Sequence, residues 1–221
     1  MKKRIVFWGD SITDSLRDKE QTVDITGYSR MTGSGYVRLI EASLGYDYPM
    51  RYEILNRGVS GDRIVDLYAR IKKDVINLKP DIVSILVGIN DVGHELAAQN
   101  GVDAEKFEMV YDWIVRELLQ ALPGVKIMIL EPFVLHGICT ENKENCLNRW
   151  ELFLSETRLR QIAAKRIADK HGLTFVPLQN AFDQAIASTK EEGYWLGDGV
   201  HPRAGGHELI KRKWLEAFRN I

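Results

Sequence analysis

Apolar residues occur along the chain in five short runs that amphipathic segments separate. The runs cover residues 5–8, 52–55, 82–87, 125–130 and 173–176, and they predict five β-strands. The third and fourth runs are nearly continuous in Val, Ile and Leu, which is typical of strands that helices cover on both faces. The pattern therefore predicts a buried, parallel sheet.

The segments between these runs carry apolar residues at helical spacing. Positions i, i+3, i+4 and i+7 predict one helix over residues 64–78 and another over 107–122. Similar spacing predicts helices around residues 159–167 and 210–218. Residues that end helices stand before the next strand at Pro80, Pro123, Gly124 and Gly172.

Strand and helix alternate five times, which predicts a three-layer α/β/α fold with right-handed crossovers. We expect a flavodoxin-like strand order, 2-1-3-4-5. The 221 residues, with no repeat or linker, predict a single domain over residues 1–221. Segments 13–35 and 136–149 are longer than usual strand–helix connections, so we expect both to face a substrate.

Composition and charge narrow the possible partners. The chain is 45% apolar and 28% charged, as expected of an ordinary globular protein, and its formal net charge is −1. This balance disfavours nucleic acid as a partner. The first apolar run is too short for a signal peptide, and no stretch approaches the length of a membrane span. The sequence predicts a cytoplasmic protein without a membrane partner.

Two cysteines, Cys139 and Cys146, lie in one polar segment. They exclude a disulfide framework but leave open either one loop disulfide or two thiols. With His136 they form three possible zinc ligands without a clear fourth, so no metal site is predicted.

Small polar residues follow the first three predicted strands, at residues 9–13, 56–62 and 88–91. In open α/β sheets, ligands bind outside the carboxyl ends of the strands. Near the C-terminus, Asp198 precedes His201 by three positions. We expect these four segments to converge on one crevice.

These segments supply the groups of a serine hydrolase. A serine nucleophile needs a base, and the base needs a carboxylate that orients it; Ser11, His201 and Asp198 fit these roles. The oxyanion needs donors, which the backbone N–H groups of Ser11 and Gly61 and the amide of Asn90 provide. Taken singly, each residue has a structural explanation, such as a helix cap or a turn. Their joint occurrence at strand ends favours catalysis.

The same residues carry a resemblance to the SGNH hydrolases, also called the GDSL esterase/lipase family. The four blocks of that family match residues 9–11, 58–61, 88–91 and 198–201, in order. The resemblance implies a serine esterase that works through an acyl-enzyme, with Ser11, Asp198 and His201 as the triad. It implies no cofactor.

The resemblance also narrows the substrate. Runs at residues 35–37, 79–81 and 205–207 are most similar to those of bacterial carbohydrate acetylesterases related to acetylxylan esterases. Segment 13–35 is polar and suits a hydroxyl-rich leaving group; its polar members include Asp14, Arg17, Asp18, Tyr28 and Arg30. We therefore predict removal of an acetyl group from a carbohydrate hydroxyl. Lysophospholipase, thioesterase and small-ester esterase activities stay open, as does a non-catalytic sugar-binding module.

Three further residues are predicted to contact the substrate. Asp10 adjoins the nucleophile, and the aromatic pair Tyr194 and Trp195 lies close in sequence to Asp198. Aromatic faces stack on the apolar faces of sugar rings. The remaining histidines, His207 among them, receive no role, and a homo-oligomer stays open.

Overall fold

A computed structural model describes residues 2–20, 30–189 and 191–221 and contains one five-stranded parallel sheet. The strand order is β2-β1-β3-β4-β5. It confirms the predicted order and the three-layer α/β/α fold class. The strands are β1 (Lys3–Gly9), β2 (Tyr52–Gly58), β3 (Ile82–Leu86), β4 (Lys126–Leu130) and β5 (Thr174–Val176).

Helices cover both faces of the sheet. In chain order they are α1 (Ser11–Asp14), α2 (Tyr36–Asp47), α3 (Ile64–Ala69), α4 (Ile71–Asp74), α5 (Ile89–Ala98), α6 (Ala104–Ala121), α7 (Arg149–His171), α8 (Gln179–Thr189), α9 (Glu192–Trp195) and α10 (Ala204–Phe218), with a 3-10 turn at Ile76–Leu78.

Alternate residues of the central strands feed two separate cores. Ile5 and Phe7 of β1 pack with α2, α8 and α10, whereas Val6 and Trp8 pack with α3, α4, α6 and α7. This arrangement follows from the strand period of two, because successive side chains point to opposite faces. The sheet is therefore buried on both sides, which explains the nearly continuous apolar runs of β3 and β4.

The prediction of one continuous helix over residues 64–78 is wrong. It is divided into α3, α4 and the 3-10 turn, and the first break falls at Arg70 (φ −113°, ψ 12°). The Arg70 side chain donates to the backbone oxygens of Arg57 (2.8 Å) and Gly9 (3.1 Å) and pairs with Asp62 (2.6 Å). The apolar spacing persists because both helices bury the same stripe, with Ile64 and Ile71 in one core.

The helix predicted around residues 159–167 is confirmed as part of α7, although only some of its apolar residues face the core. Leu159 and Ile162 are exposed, whereas Ala163, Ala164 and Ile167 are buried. Small side chains allow α7 to lie close to α6 and the sheet. Helices α2, α5 and α8 were not predicted from the pattern.

Glycines at two strand ends allow the connecting segments to approach each other. A Cβ on Gly9 would lie 2.2 Å from the Leu86 oxygen, and one on Gly58 would lie 2.2 Å from the Asp14 nitrogen. Both distances are shorter than any real contact, so only glycine fits. The carboxyl ends of β1, β2 and β3 thus meet at one edge of the sheet. Among the described residues, no helix combines the length and apolar character needed to cross a bilayer.

Candidate active site

Ser11 is the first residue of α1 and stands directly after β1. The preceding residue, Asp10, caps α1, because its Oδ1 accepts a hydrogen bond from Ile12 N at 2.9 Å. Asp10 is 1% exposed, so its carboxyl group lies inside the protein. Burial raises the pKa of Asp10 to about 7, although the Ile12 hydrogen bond opposes the shift.

A chain of hydrogen bonds links a serine, a histidine and an aspartate. Ser11 Oγ lies 2.9 Å from His201 Nε2, and His201 Nδ1 lies 2.7 Å from Asp198 Oδ2. Because the carboxylate accepts the Nδ1 proton, Nε2 of the neutral ring is free to accept from the serine hydroxyl. The 190 residues between Ser11 and His201 in the sequence are bridged by the fold.

The Asp198 carboxylate is held by several donors. Its Oδ1 accepts from the backbone nitrogens of Val200 (2.9 Å) and His201 (2.7 Å). Burial works against ionisation, but these bonds and the bond from the His201 ring hold the pKa of Asp198 below its ordinary value. The thiol of Cys139 adds a weak donor, with Sγ 3.6 Å from Oδ2.

The segment that contains Cys139 supports the backbone at Asp198. Leu135 N donates to Gly199 O, and Cys139 N donates to Asp198 O, both at 2.9 Å. A Cβ on Gly137 would lie 2.4 Å from the carbonyl carbon of Asp198. The first part of segment 136–149, predicted to face the substrate, therefore holds a catalytic candidate in place.

This close packing gives a stability prediction. We expect Gly137→Ala to lower the free energy of unfolding by about 1–3 kcal/mol, because the added methyl group displaces the Asp198 backbone. Gly45→Ala is the matched control, because Gly45 lies within α2 and has open space around it. It should raise stability by about 0.5–1 kcal/mol through helix propensity. Urea denaturation of both variants measures the difference, and equal stabilities would contradict the packing argument.

Two backbone N–H groups and one side-chain amide are the candidate donors for a developing oxyanion. Gly61 adopts φ +87°, which favours glycine. Within the described residues, the backbone N–H groups of Gly61 and Ser11 have no protein acceptor. Asn90 Nδ2 donates one hydrogen to Asp62 O at 3.1 Å, which leaves its second amide hydrogen available. These are the three donors that the sequence predicts for an oxyanion hole.

The next residue, Asp91, supports this arrangement from inside. It is fully buried, and its carboxyl oxygens lie 3.1 Å and 3.3 Å from Ile64 N. Burial raises the pKa of Asp91 to about 7. Asp91, near the start of α5, is therefore hydrogen-bonded to the first residue of α3, which follows the Gly61 turn.

A pocket of about 770 Å³ opens beside Ser11 and His201. Residues 14–20 form one wall, so this part of segment 13–35 faces the pocket as predicted. Residues 21–29, with Tyr28, lie outside the described residues. The opposite wall consists of Ser60, Pro202 and His207. The wall of residues 14–20 is polar and charged, with Arg17 donating to Gly58 O at 2.8 Å.

A model of the GDSL-like lipase/acylhydrolase family matches residues 7–209. The chain belongs to this family. It is a carboxylic ester hydrolase, and the resemblance in the four sequence blocks is confirmed.

Related proteins match this esterase over nearly its whole length. An acetylxylan esterase from Geobacillus stearothermophilus is 32% identical over 216 residues, which cover 96% of this chain and 92% of that protein. A crystal structure of an acetylxylan esterase from the same organism has a TM-score of 0.79 at 30% identity and covers 97% of this chain and 93% of that chain. A protein from Parabacteroides merdae has a TM-score of 0.85 at 31% identity, with coverages of 98% and 96%.

Three solved structures of the Geobacillus esterase are described as catalytic mutants. In these, alanine replaces a serine, an aspartate or a histidine.

His207 of the esterase lines the pocket, although no role was predicted for it from the sequence. Its Nδ1 accepts a hydrogen bond from Tyr36 N at 3.1 Å. Burial, and to a lesser extent the charge of His201, lowers the pKa of His207 to about 4. This contact joins residues 171 positions apart, so no local pattern in the sequence reveals it.

The three residues predicted to contact the substrate lie in two different places in the esterase. Asp10 is buried under α1, as described above. Tyr194 and Trp195 lie on α9. Neither residue is among the described residues that line the pocket beside Ser11. Trp195 Nε1 instead donates to Thr189 Oγ1 at 3.0 Å. A role for these aromatic residues in substrate binding stays a prediction.

Both cysteines of the esterase, Cys139 and Cys146, are free thiols. Burial, together with the negative charge of Asp198, raises the pKa of Cys139, so this thiol keeps its proton at neutral pH. In residues 2–20, 30–189 and 191–221, no three His, Cys, Asp or Glu side chains lie together as metal ligands would.

Proposed function

We propose that this esterase removes a short acyl group, acetyl in particular, from a carbohydrate hydroxyl. The hydrogen-bonded chain of Ser11, His201 and Asp198 beside the pocket carries the proposal. Ser11 acts as the nucleophile, His201 as the base, and Asp198 as the group that orients His201. The catalytic serine, aspartate and histidine of the Geobacillus acetylxylan esterase support this assignment.

Acylation begins when Ser11 Oγ attacks the ester carbonyl and His201 Nε2 takes its proton. Asp198 stabilises the imidazolium that forms, because its negative carboxylate accepts a hydrogen bond from Nδ1–H at 2.7 Å. His201 then protonates the oxygen of the leaving alcohol, and the C–O bond of the ester breaks. The acyl group remains on Ser11.

Deacylation repeats the sequence with water as the nucleophile. His201 takes a proton from the water, which attacks the acyl carbon, and the proton then passes to Ser11 Oγ as the carboxylic acid leaves. In both half-reactions the negative oxygen accepts hydrogen bonds from Ser11 N, Gly61 N and Asn90 Nδ2.

The oxyanion assignment predicts the effect of truncating Asn90. Asn90→Ala should lower kcat about 10²–10³-fold with little change in KM, because the amide stabilises charge that develops in the transition state. Steady-state kinetics on p-nitrophenyl acetate measure this loss. Asn100→Ala is a control, since Asn100 is exposed and contacts Arg63 instead of the Ser11 pocket. A change of less than threefold in Asn90→Ala would contradict the assignment.

The pocket supports a carbohydrate as the alcohol. Residues 14–20 bring Asp14, Arg17 and Lys19 to the pocket, and these supply charged and hydrogen-bonding groups beside the apolar side chains of Ile12 and Leu16. A volume of about 770 Å³ lies within the range of small-molecule sites and exceeds what an acetyl group needs. The activity named for the Geobacillus relative agrees with this substrate class.

Acetate release tests the substrate class. Activity is measured on acetylated xylo-oligosaccharides, and on p-nitrophenyl esters from acetyl to long acyl chains. We expect release from the oligosaccharides and a maximum at acetyl among the aryl esters. A maximum at long chains would replace the carbohydrate proposal with a lysophospholipase or thioesterase activity. Hydrolysis of the aryl acetate alone would retain the serine mechanism but remove the sugar.

A further inference from the structure

His207 is fixed between two helices at the edge of the pocket. It lies on α10, and its Nδ1 accepts from the backbone nitrogen of Tyr36, the first residue of α2. The rings of His207 and Tyr36 are stacked, with centroids 6.4 Å apart and an interplanar angle of 19°. Gly35 packs against the other atoms of the ring, since a Cβ there would lie 2.7 Å from His207 Cε1. The ring therefore has one orientation.

This orientation decides where the proton of His207 resides. A neutral imidazole has one donor and one acceptor nitrogen. The acceptor is Nδ1, because it receives the Tyr36 N–H, so the proton is on Nε2. Burial keeps the ring neutral at working pH by lowering its pKa to about 4, with a smaller contribution from the charge of His201. His207 is thus a donor of fixed position.

Among the described residues, no acceptor forms a hydrogen bond with Nε2 of His207. The same ring lines the pocket together with His201 and Pro202. His207 Nε2 is not among the buried atoms that lack a partner, so this donor is open to solvent, and a hydrogen bond from it to a ligand oxygen would contribute to binding and specificity.

We propose that the Nε2–H of His207 binds a hydroxyl oxygen of the leaving alcohol and so selects polyhydroxylated alcohols as substrates. The inference rests on the proposed function, because it requires that the alcohol occupy the pocket beside Ser11. His207 is then a specificity-determining residue, and it takes no part in proton transfer at the ester. An aryl leaving group without hydroxyls gains nothing from this donor.

His207 also has a structural role, since it accepts the free N–H at the start of α2. Two substitutions separate the roles. His207→Asn places an amide oxygen near the position of Nδ1 and retains the acceptor for Tyr36 N, but it lacks the donor at Nε2. His207→Gln places its amide near the position of Nε2 and retains a donor there, but it lacks the acceptor for α2.

The test compares both variants with wild type on two substrates. For His207→Asn we expect KM on acetylated xylo-oligosaccharides to rise about three- to tenfold, the size of one lost hydrogen bond, while kcat/KM on p-nitrophenyl acetate stays within twofold. For His207→Gln we expect a KM near wild type on the oligosaccharides and a lower midpoint of thermal unfolding. Together these results support the inference.

Two results would overturn it. One is an unchanged KM of His207→Asn on the oligosaccharides; the other is an equal loss on both substrates, which assigns His207 a structural role only. Hydrolysis of p-nitrophenyl acetate by wild type, and its loss in Ser11→Ala, reports the serine mechanism separately. If wild type hydrolyses the aryl ester but not the oligosaccharides, the proposed carbohydrate substrate fails, and the inference about His207 is overturned with it.

Discussion

Ser11→Ala should lower turnover by about 10⁶-fold on both p-nitrophenyl acetate and acetylated oligosaccharides. The reason is that Ser11 Oγ, 2.9 Å from His201 Nε2, is the hydroxyl that His201 is placed to activate, and alanine removes it. Without the nucleophile, the oxyanion donors and the pocket still bind the ester, so a small residual rate over water should remain. Single-turnover assays, with mass spectrometry of the acyl-enzyme, measure the loss.

Ser60→Ala is the matched control for this experiment. Ser60 lines the same pocket, and its contact with Asp14 is made through its backbone nitrogen, which alanine retains. Its activity should stay within a few-fold of wild type. An unfolding midpoint of Ser11→Ala that equals that of wild type shows that the loss is chemical. Near-normal turnover of folded Ser11→Ala would refute Ser11 as the nucleophile.

Asp198→Asn should lower kcat by about 10⁴-fold. The asparagine keeps the size of the side chain but removes the charge that stabilises the His201 imidazolium. It also allows the amide to donate to Nδ1, which places the histidine proton on Nε2, where it opposes the serine hydroxyl. Because the pKa of Asp198 is below its ordinary value, the carboxylate is ionised throughout the working pH range, and acidification alone does not mimic the variant.

Kinetics of Asp169→Asn provide the control for Asp198→Asn, since Asp169 is exposed and forms an ion pair with Lys165 at the surface. That variant should match wild type. Circular dichroism and the unfolding midpoint of Asp198→Asn should stay near those of wild type. Unchanged values would show that the loss of activity comes from the missing charge and not from unfolding. An asparagine variant that retains a tenth of wild-type kcat would show that His201 needs no carboxylate partner.

The sheet was predictable because the central strands β3 and β4 are short runs of buried aliphatic residues between helical segments, and the order is the one expected of a flavodoxin-like fold. The helix boundaries were harder to predict from the sequence than the strands. Arg70 interrupts the predicted helix 64–78 and bonds to backbone oxygens at the ends of β1 and β2, and these partners are visible only in three dimensions. Similarly, α7 buries Ala163 and Ala164 instead of its larger Leu159, because close packing against α6 outweighs side-chain hydrophobicity.

The candidate site also contains residues that the sequence predicted and residues that it did not. Ser11, Gly61, Asn90, Asp198 and His201 belong to sequence blocks whose spacing is fixed locally, and the structure brings Ser11, His201 and Asp198 within hydrogen-bonding distance of one another. The positions of Cys139 and His207 depend on contacts with residues 59 and 171 positions away, respectively. Nothing in the neighbouring sequence of either residue indicates its partner.

The long separation of Ser11 from His201 has a consequence for synthesis of the chain. The proposed base, His201, is translated 190 residues after Ser11 and is held by the segment before α10. A nascent chain therefore displays Ser11 without its proposed base until His201 has been translated and folded into place. Any proteolytic cut between the two residues separates them, so hydrolysis by the proposed mechanism reports that both parts of the chain have assembled.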